Sequence, residues 1–259
     1  MITIKGLVVV ITGASSGIGA EAAVRFAERG AIVVLMARSE QKLRQVAARI
    51  AGDHAIVPVN VADRDQVEEA MQQVIGRYGR IDVLINGAGF AWFEYFEKAP
   101  IDHFEAMMDV NYFGTVRCIK AVLPHMLGRG KGHIVNIASV VGKIGNVKSS
   151  AYAASKHAVL GLTNSLRPEL RERGVLVSAV NPGPVATPFF DKADPDGSYV
   201  QKVAKYMLTP QQVADAIVST VMHRRMDVTL PYWANLGAKL FHLFPGLFEK
   251  LMGGVMNKK

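Results

Sequence analysis

Apolar and polar positions along the chain follow two alternating rhythms. Short β-branched runs predict strands at Leu7–Ile11, Ile32–Met36, Ala55–Val59, Val83–Ile85, His133–Ile137, Leu176–Val180 and Val228–Leu230. Between them, residues of helical period predict helices at about 17–29, 40–51, 64–79, 101–127, 151–173 and 210–223. Several of the strands are apolar on both faces, as a parallel sheet covered by helices on each side requires. The alternation predicts an α/β fold, a doubly wound and mostly parallel sheet of about seven strands with helices on both faces. Two stretches break the rhythm. Residues 183–209 carry Pro, Gly and Asp between helices and are expected to form a lid. The aromatic-rich tail, residues 232–259, is expected to be an amphipathic extension of the same domain, which otherwise spans residues 1–231.

Composition narrows the function classes. The chain has 259 residues, half of them hydrophobic, enough for one large domain with a substantial core and no polar linker. Its start, MITIKGLVVVITG, lacks the pattern of a secretory signal and is too short an apolar run to cross a bilayer, which takes about 20 residues. The single cysteine, Cys118, has no intramolecular partner and is expected at a helical core position. A cytoplasmic location is the expectation. The formal net charge of +8 comes from scattered Lys and Arg, without the dense stripe that nucleic-acid binding calls for. The seven histidines show no zinc-type spacing, so no metal is expected.

The candidate chemistry begins where the first strand ends. Thr12-Gly13-Ala14-Ser15-Ser16-Gly17-Ile18-Gly19 precedes a helix. Glycines let a backbone turn tightly and approach a pyrophosphate, and the helix N-terminus offers free N–H donors and a favourable dipole. The second strand ends in Ala37-Arg38-Ser39, with no carboxylate before Glu40. An acid at that junction binds the ribose 2′-hydroxyl of NAD, whereas an Arg accommodates a 2′-phosphate, so NADP(H) is favoured. Ser139 ends the fifth strand, on the side of the sheet that faces a ligand crevice. Tyr152 and Lys156 follow at a spacing that places both on one helical face.

TGASSGIG, Asn86-Gly-Ala-Gly89, Asn111, Ser139, the YAASK pair and Pro182-Gly183 together resemble the short-chain dehydrogenase/reductase family over residues 5–230. The resemblance implies a Rossmann-like fold and a tetrad of Asn111, Ser139, Tyr152 and Lys156. It implies cofactor contacts from Gly13, Ser15, Ser16, Gly17, Ile18, Gly19, Arg38, Asn86, Ala88, Gly89, Tyr152, Lys156, Pro182 and Gly183. It further implies that Asp63 meets the adenine region and that Thr187 holds the nicotinamide carboxamide. Gly87 departs from the pattern, since many relatives carry a second Asn there.

The expected reaction moves a hydride between NADP(H) and a carbonyl or alcohol carbon, with Tyr152 as general acid/base and the Ser139 hydroxyl stabilising the oxyanion. A cation about 4 Å away at an effective dielectric of about 20 contributes about 4 kcal/mol. Lys156, held that close, would bring a phenol from a pKa of about 10 towards neutrality. Two further roles come from the resemblance: Lys156 binding the nicotinamide ribose, and Asn111 positioning a proton-relaying water. A pocket rim of Phe90, Trp92, Phe93, Val140, Val141, Phe189, Phe190 and Tyr206 suits a lipophilic small molecule. In the tail, Trp233, Leu236, Leu240 and Phe244 fall at helical spacing and resume, after Pro245-Gly246, with Leu247, Phe248, Leu251 and Met252. Packing on the body, packing across a homo-oligomer interface and peripheral contact with a membrane all fit that pattern. An NAD-linked dehydrogenase and a non-catalytic dinucleotide-binding sensor are the competing readings.

Overall fold

The computed structural model of the chain describes residues 1–246 and 250. All seven expected strands form: β1 (Val8–Thr12), β2 (Ile32–Ala37), β3 (His54–Pro58), β4 (Val83–Asn86), β5 (Gly132–Ile137), β6 (Val175–Pro182) and β7 (Asp227–Leu230). They lie in one parallel sheet in the order β3-β2-β1-β4-β5-β6-β7. Successive strand residues point to opposite faces, and the sheet uses both. Val9, Ile11, Val33, Leu35, Val83 and Ile85 enter one hydrophobic core, while Val8, Val10, Val34, Met36 and Leu84 enter the other. This two-sided burial explains why the strands read as continuous apolar runs.

The first core lies under α1 (Gly17–Ala27), α2 (Glu40–Ala47) and α9 (Pro210–His223), and the second under α3 (Arg64–Tyr78) and α5 (Gly114–Gly128). At the amino end of the sheet the buried Asp82 clasps the central strands. It accepts a hydrogen bond from the Val8 N–H at 2.9 Å, and Arg80 and Arg129 pair with its carboxylate at 2.9 and 3.0 Å. At the carboxyl end, the chain leaves β1 towards β2 on one side and continues from β4 towards β5 on the other. The crevice at this reversal is where α/β sheets hold ligands.

Two expectations are refined. The helix expected over 101–127 is three pieces: α4 (Ile101–Met107), a π-helical stretch (Met108–Phe113) and α5. The wider turn carries Asn111, whose side chain bonds to neighbouring elements. The lid region is ordered as α7 (Phe189–Ala193), α8 (Ser198–Val203) and a 3₁₀ turn (Ala204–Tyr206), closed at its base by a bridge between Val185 and Leu208. Asp194 gathers the lid by accepting from the backbone N–H groups of Tyr199 and Val200 at 3.2 and 2.8 Å.

α6 (Ser150–Arg171) packs against β6. After β7 comes α10 (Tyr232–Leu243), which packs on the body through Ala234 and Ala238. Its opposite side exposes Trp233, Leu236, Leu240 and Leu243, with Phe244 just beyond. Leu247, Phe248, Leu251 and Met252 lie outside the described residues. No helix among the described residues is long and apolar enough to cross a membrane.

Candidate active site

The glycine turn after β1 is shaped by close backbone approach. Gly13 sits at φ +71°, and a Cβ there would lie 2.7 Å from the Gly87 carbonyl. A Cβ on Gly19 would collide with the Gly13 carbonyl, so only glycine lets α1 begin this near the strand. Position 87 is equally tight, since a Cβ there would stand 2.8 Å from the Thr12 carbonyl oxygen. Thr12 Oγ1 accepts from the N–H groups of Gly87 and Ala88 at 3.1 and 3.2 Å, locking the two turns together. The first turn of α1 carries no acidic residue, and its cap residue Ser16 makes no side-chain bond to the helix N–H groups. Ser15, Ser16, Gly17, Ile18 and Gly19 all line a cleft of about 1400 Å³ at the carboxyl end of the sheet. Uncapped donors, a favourable dipole and a glycine floor fit a dinucleotide pyrophosphate.

Further along this cleft stand Arg38 and Ser39 at the end of β2, with Lys42 one turn into α2. Ser39 caps α2, and Glu40, the nearest following carboxylate, is drawn onto Arg44 at 2.5 Å. The rim here is therefore cationic. Asp63 is not among the cleft-lining residues. It caps α3, accepting from the Gln66 backbone at 3.1 Å and its side-chain amide at 2.8 Å, and these bonds hold its carboxyl below the usual range. The neighbouring Asn60 and Val61 line the cleft instead.

Ser139, Tyr152 and Lys156 converge at the other end of the same cleft, all three buried. Ser139 Oγ accepts from the Val141 N–H at 3.1 Å and lies 3.3 Å from the Pro182 carbonyl. It also hydrogen-bonds the Tyr152 phenol. One helical turn on, Lys156 Nζ donates to the Ile137 carbonyl at 2.8 Å and lies 5.8 Å from the Tyr152 ring centre. Burial pushes the phenol well above its usual range; the Ser139 hydrogen bond opposes this and Tyr199 adds to it. Burial also pushes the Lys156 ammonium down to about 8. From its spacing alone, the lysine is expected to acidify the phenol. In this arrangement burial sets the direction of the phenol's shift, with no acidifying contribution from Lys156, whose hydrogen bond goes to the Ile137 carbonyl.

Asn111 and Asn86 stand behind the cleft wall. Asn111, 1% exposed, donates through Nδ2 to the Phe90 carbonyl and to Ser155 Oγ, each at 3.0 Å. Its Oδ1 accepts from the Phe90 N–H at 3.0 Å. Its side chain thus staples the loop after β4 to α6. Asn86 donates to Asn136 at 2.8 Å, and Asn136 donates to Thr163 at 2.8 Å, tying β4 and β5 to the same helix. Ala88, Gly89, Pro182, Gly183 and Thr187 complete the lining between the two ends.

Around the phenol, Phe93, Phe189, Phe190 and Tyr199 form an aromatic wall, with Phe93 and Phe189 ring centres 6.2 and 5.6 Å from that of Tyr152. Phe90, Trp92, Val140 and Val141 also line the cleft. Tyr206 does not: it lies in the 3₁₀ turn of the lid and is 64% exposed. Lys42, Asn60, Lys192, Tyr199 and Trp233 also line the cleft, beyond the residues expected from the sequence. Only Lys42 carried a usable signal, a cation one helical turn after Arg38.

Comparison with known proteins agrees with this architecture. The family model described as short chain dehydrogenase matches residues 7–197. An uncharacterized oxidoreductase of Staphylococcus saprophyticus is 39% identical over 222 residues, covering 84% of this chain and 92% of that protein. A serine dehydrogenase complexed with NADP⁺ superposes with a TM-score of 0.79 at 30% identity, over 86% of this chain and 94% of that one. A short chain dehydrogenase/reductase from Burkholderia phymatum in complex with NAD gives 0.87 at 26% identity, over 95% and 96%. With a matching family model over most of its length, the chain belongs to the short-chain dehydrogenase/reductase family of oxidoreductases.

Proposed function

We propose that the protein is an NADP(H)-dependent carbonyl reductase of lipophilic small molecules, reversible as an alcohol dehydrogenase. One observation carries the reading: a glycine cradle, a cationic ribose rim and a buried Ser–Tyr–Lys group line a single cleft. When bound there, the nicotinamide supplies the hydride. The residues of the chain supply the rest. Tyr152, whose burial keeps the phenol protonated, delivers a proton to the developing alkoxide. Ser139 Oγ, held as an acceptor by the Val141 N–H, turns its single proton from the Pro182 carbonyl to the same oxygen. The Lys156 ammonium stabilises the phenolate that proton donation leaves behind, through a low-dielectric path where charge interactions are strong.

The cofactor preference rests on Arg38 and Lys42 at the ribose end and on the engagement of Glu40 with Arg44. Either cofactor occurs among the similar structures, NADP⁺ with the serine dehydrogenase and NAD with the Burkholderia protein. The substrate class rests on the aromatic wall around Tyr152. The exposed stripe of α10 extends this reading. Trp233 belongs both to the cleft lining and to that stripe, and Lys239 and His242 flank its apolar residues. Peripheral contact of α10 with an anionic lipid surface would set the cleft mouth beside a source of lipophilic carbonyls.

Three outcomes test the proposal. Tyr152→Phe is expected to lower NADPH-dependent turnover of a ketone and aldehyde panel by at least about a hundredfold, the scale of general acid catalysis. Its cofactor affinity, measured by fluorescence, should stay near wild type; undiminished turnover would refute the assignment. Arg38→Asp should lower the NADPH-over-NADH preference in kcat/KM by about tenfold or more, whereas a wild type that uses both equally would refute NADP(H) specificity. In sedimentation with anionic vesicles, the wild type should co-pellet and Leu236→Glu/Leu240→Glu should not. Equal recovery of both in the supernatant would remove the membrane reading and leave the enzyme reading standing.

A further inference from the structure

Lys192 has no part in the chemistry described so far, yet it closes one side of the cleft. It projects from α7 in the lid, and its Nζ lies 3.9 Å from the Phe90 ring centre and 4.0 Å from that of Trp92. Those two rings belong to the loop after β4, so the lysine reaches across the cleft mouth. Trp92 is fixed from behind: it stacks on His103 at 3.8 Å, and His103 Nδ1 lies 2.6 Å from Glu94. The lid is also rooted on the glycine turn, because a Cβ at Gly17 would stand 3.0 Å from Thr187 Cγ2. The segment carrying Lys192 thus starts against the pyrophosphate cradle and ends over the cleft.

Three exposed cations gather at this corner of the cleft with no acid paired to them among the described residues. Lys192, Arg38 and Lys42 all line the cleft, and among the described residues none of them has a carboxylate within ion-pair distance. Burial lowers the lysine's proton affinity, and Arg38 is near enough to lower it further. Contact with two aromatic faces offsets part of that cost, but aromatic rings do not separate two like charges. A phosphate between them does, and phosphate is the anion that the glycine cradle already fits.

Resting on the dinucleotide reading above, we propose that Lys192 is a phosphate-binding residue carried by the lid, which closes with Arg38 over the anionic groups of the cofactor. Its aromatic contacts hold the ammonium over the cleft before the anion arrives, so the lid reads the cofactor through charge and not through shape alone.

The test is cofactor affinity, read by quenching of protein fluorescence, with Lys192→Met and Lys192→Arg. Methionine keeps an apolar stem over the two rings without the charge; arginine keeps both. Lys192→Met should bind NADPH about tenfold more weakly and with a shallower salt dependence, while Lys192→Arg should stay within about threefold of wild type. NADH and adenosine 2′,5′-bisphosphate identify the phosphate. Equal weakening of NADPH and NADH assigns the pyrophosphate. Weakening of NADPH and the bisphosphate, with NADH unchanged, assigns the 2′-phosphate. Unchanged NADPH affinity in Lys192→Met, or an equal loss in Lys192→Arg, overturns the proposal. A wild type that binds both cofactors equally, yet loses affinity for both in Lys192→Met, would sink NADP(H) specificity and leave the lysine's role intact.

Discussion

Two ionisable groups, a phenol and an ammonium, are buried one helical turn apart on the face of α6 that meets the sheet. Burial acts on both in the same sense, favouring the neutral form of each: the phenol rises and the lysine falls to about 8. Such a pair is tolerated because its polar atoms have partners. Ser139 serves the phenol and the Ile137 carbonyl serves the ammonium, and both partners come from the end of β5. The proposed chemistry depends on this balance. A phenol that stays protonated is a proton donor for carbonyl reduction, and a lysine that titrates near the working pH can still meet the phenolate as a cation.

The rest of the fold maintains the register between α6 and the sheet. The Asn86–Asn136–Thr163 chain of hydrogen bonds holds the helix to β4 and β5, and Asn111 holds it to the loop after β4. The π-helical turn that carries Asn111 is what allows its amide to reach both the loop backbone and Ser155. At the far side of the cleft, the closeness of Gly13, Gly19 and Gly87 lets the cofactor end of the site form against bare backbone. Residues that look like separate motifs in the sequence are therefore parts of two supports, one under each end of the cleft.

The sheet, and the meeting of the glycine turn with Ser139, Tyr152 and Lys156 along one cleft, were legible in the sequence because both leave local signatures. Two-sided burial writes continuous β-branched runs, and the glycine turn and the Tyr–Lys spacing are short-range patterns. What the sequence did not display depends on distant contacts. The division of the 101–127 helix follows from where Asn111 must point, which its own stretch does not encode. The direction of the phenol's shift depends on how completely the lid aromatics and Tyr199 enclose it, and those residues lie some forty positions away. Asp63 drew attention through its motif, but Gln66 three residues on engages it as a helix cap. Tyr206 drew attention as an aromatic in the lid, and the 3₁₀ turn directs it to solvent.

The central claim is that a protonated phenol delivers the proton while a charged lysine stands behind it. The most direct measurement is the single-turnover rate of carbonyl reduction with saturating NADPH across about pH 6 to 10. The rate should be level at low pH, where the ammonium is charged, and should fall as pH rises through about 8, the value to which burial brings Lys156. A rate that instead climbs with pH, as it would if the phenolate were the active form in reduction, would contradict the account.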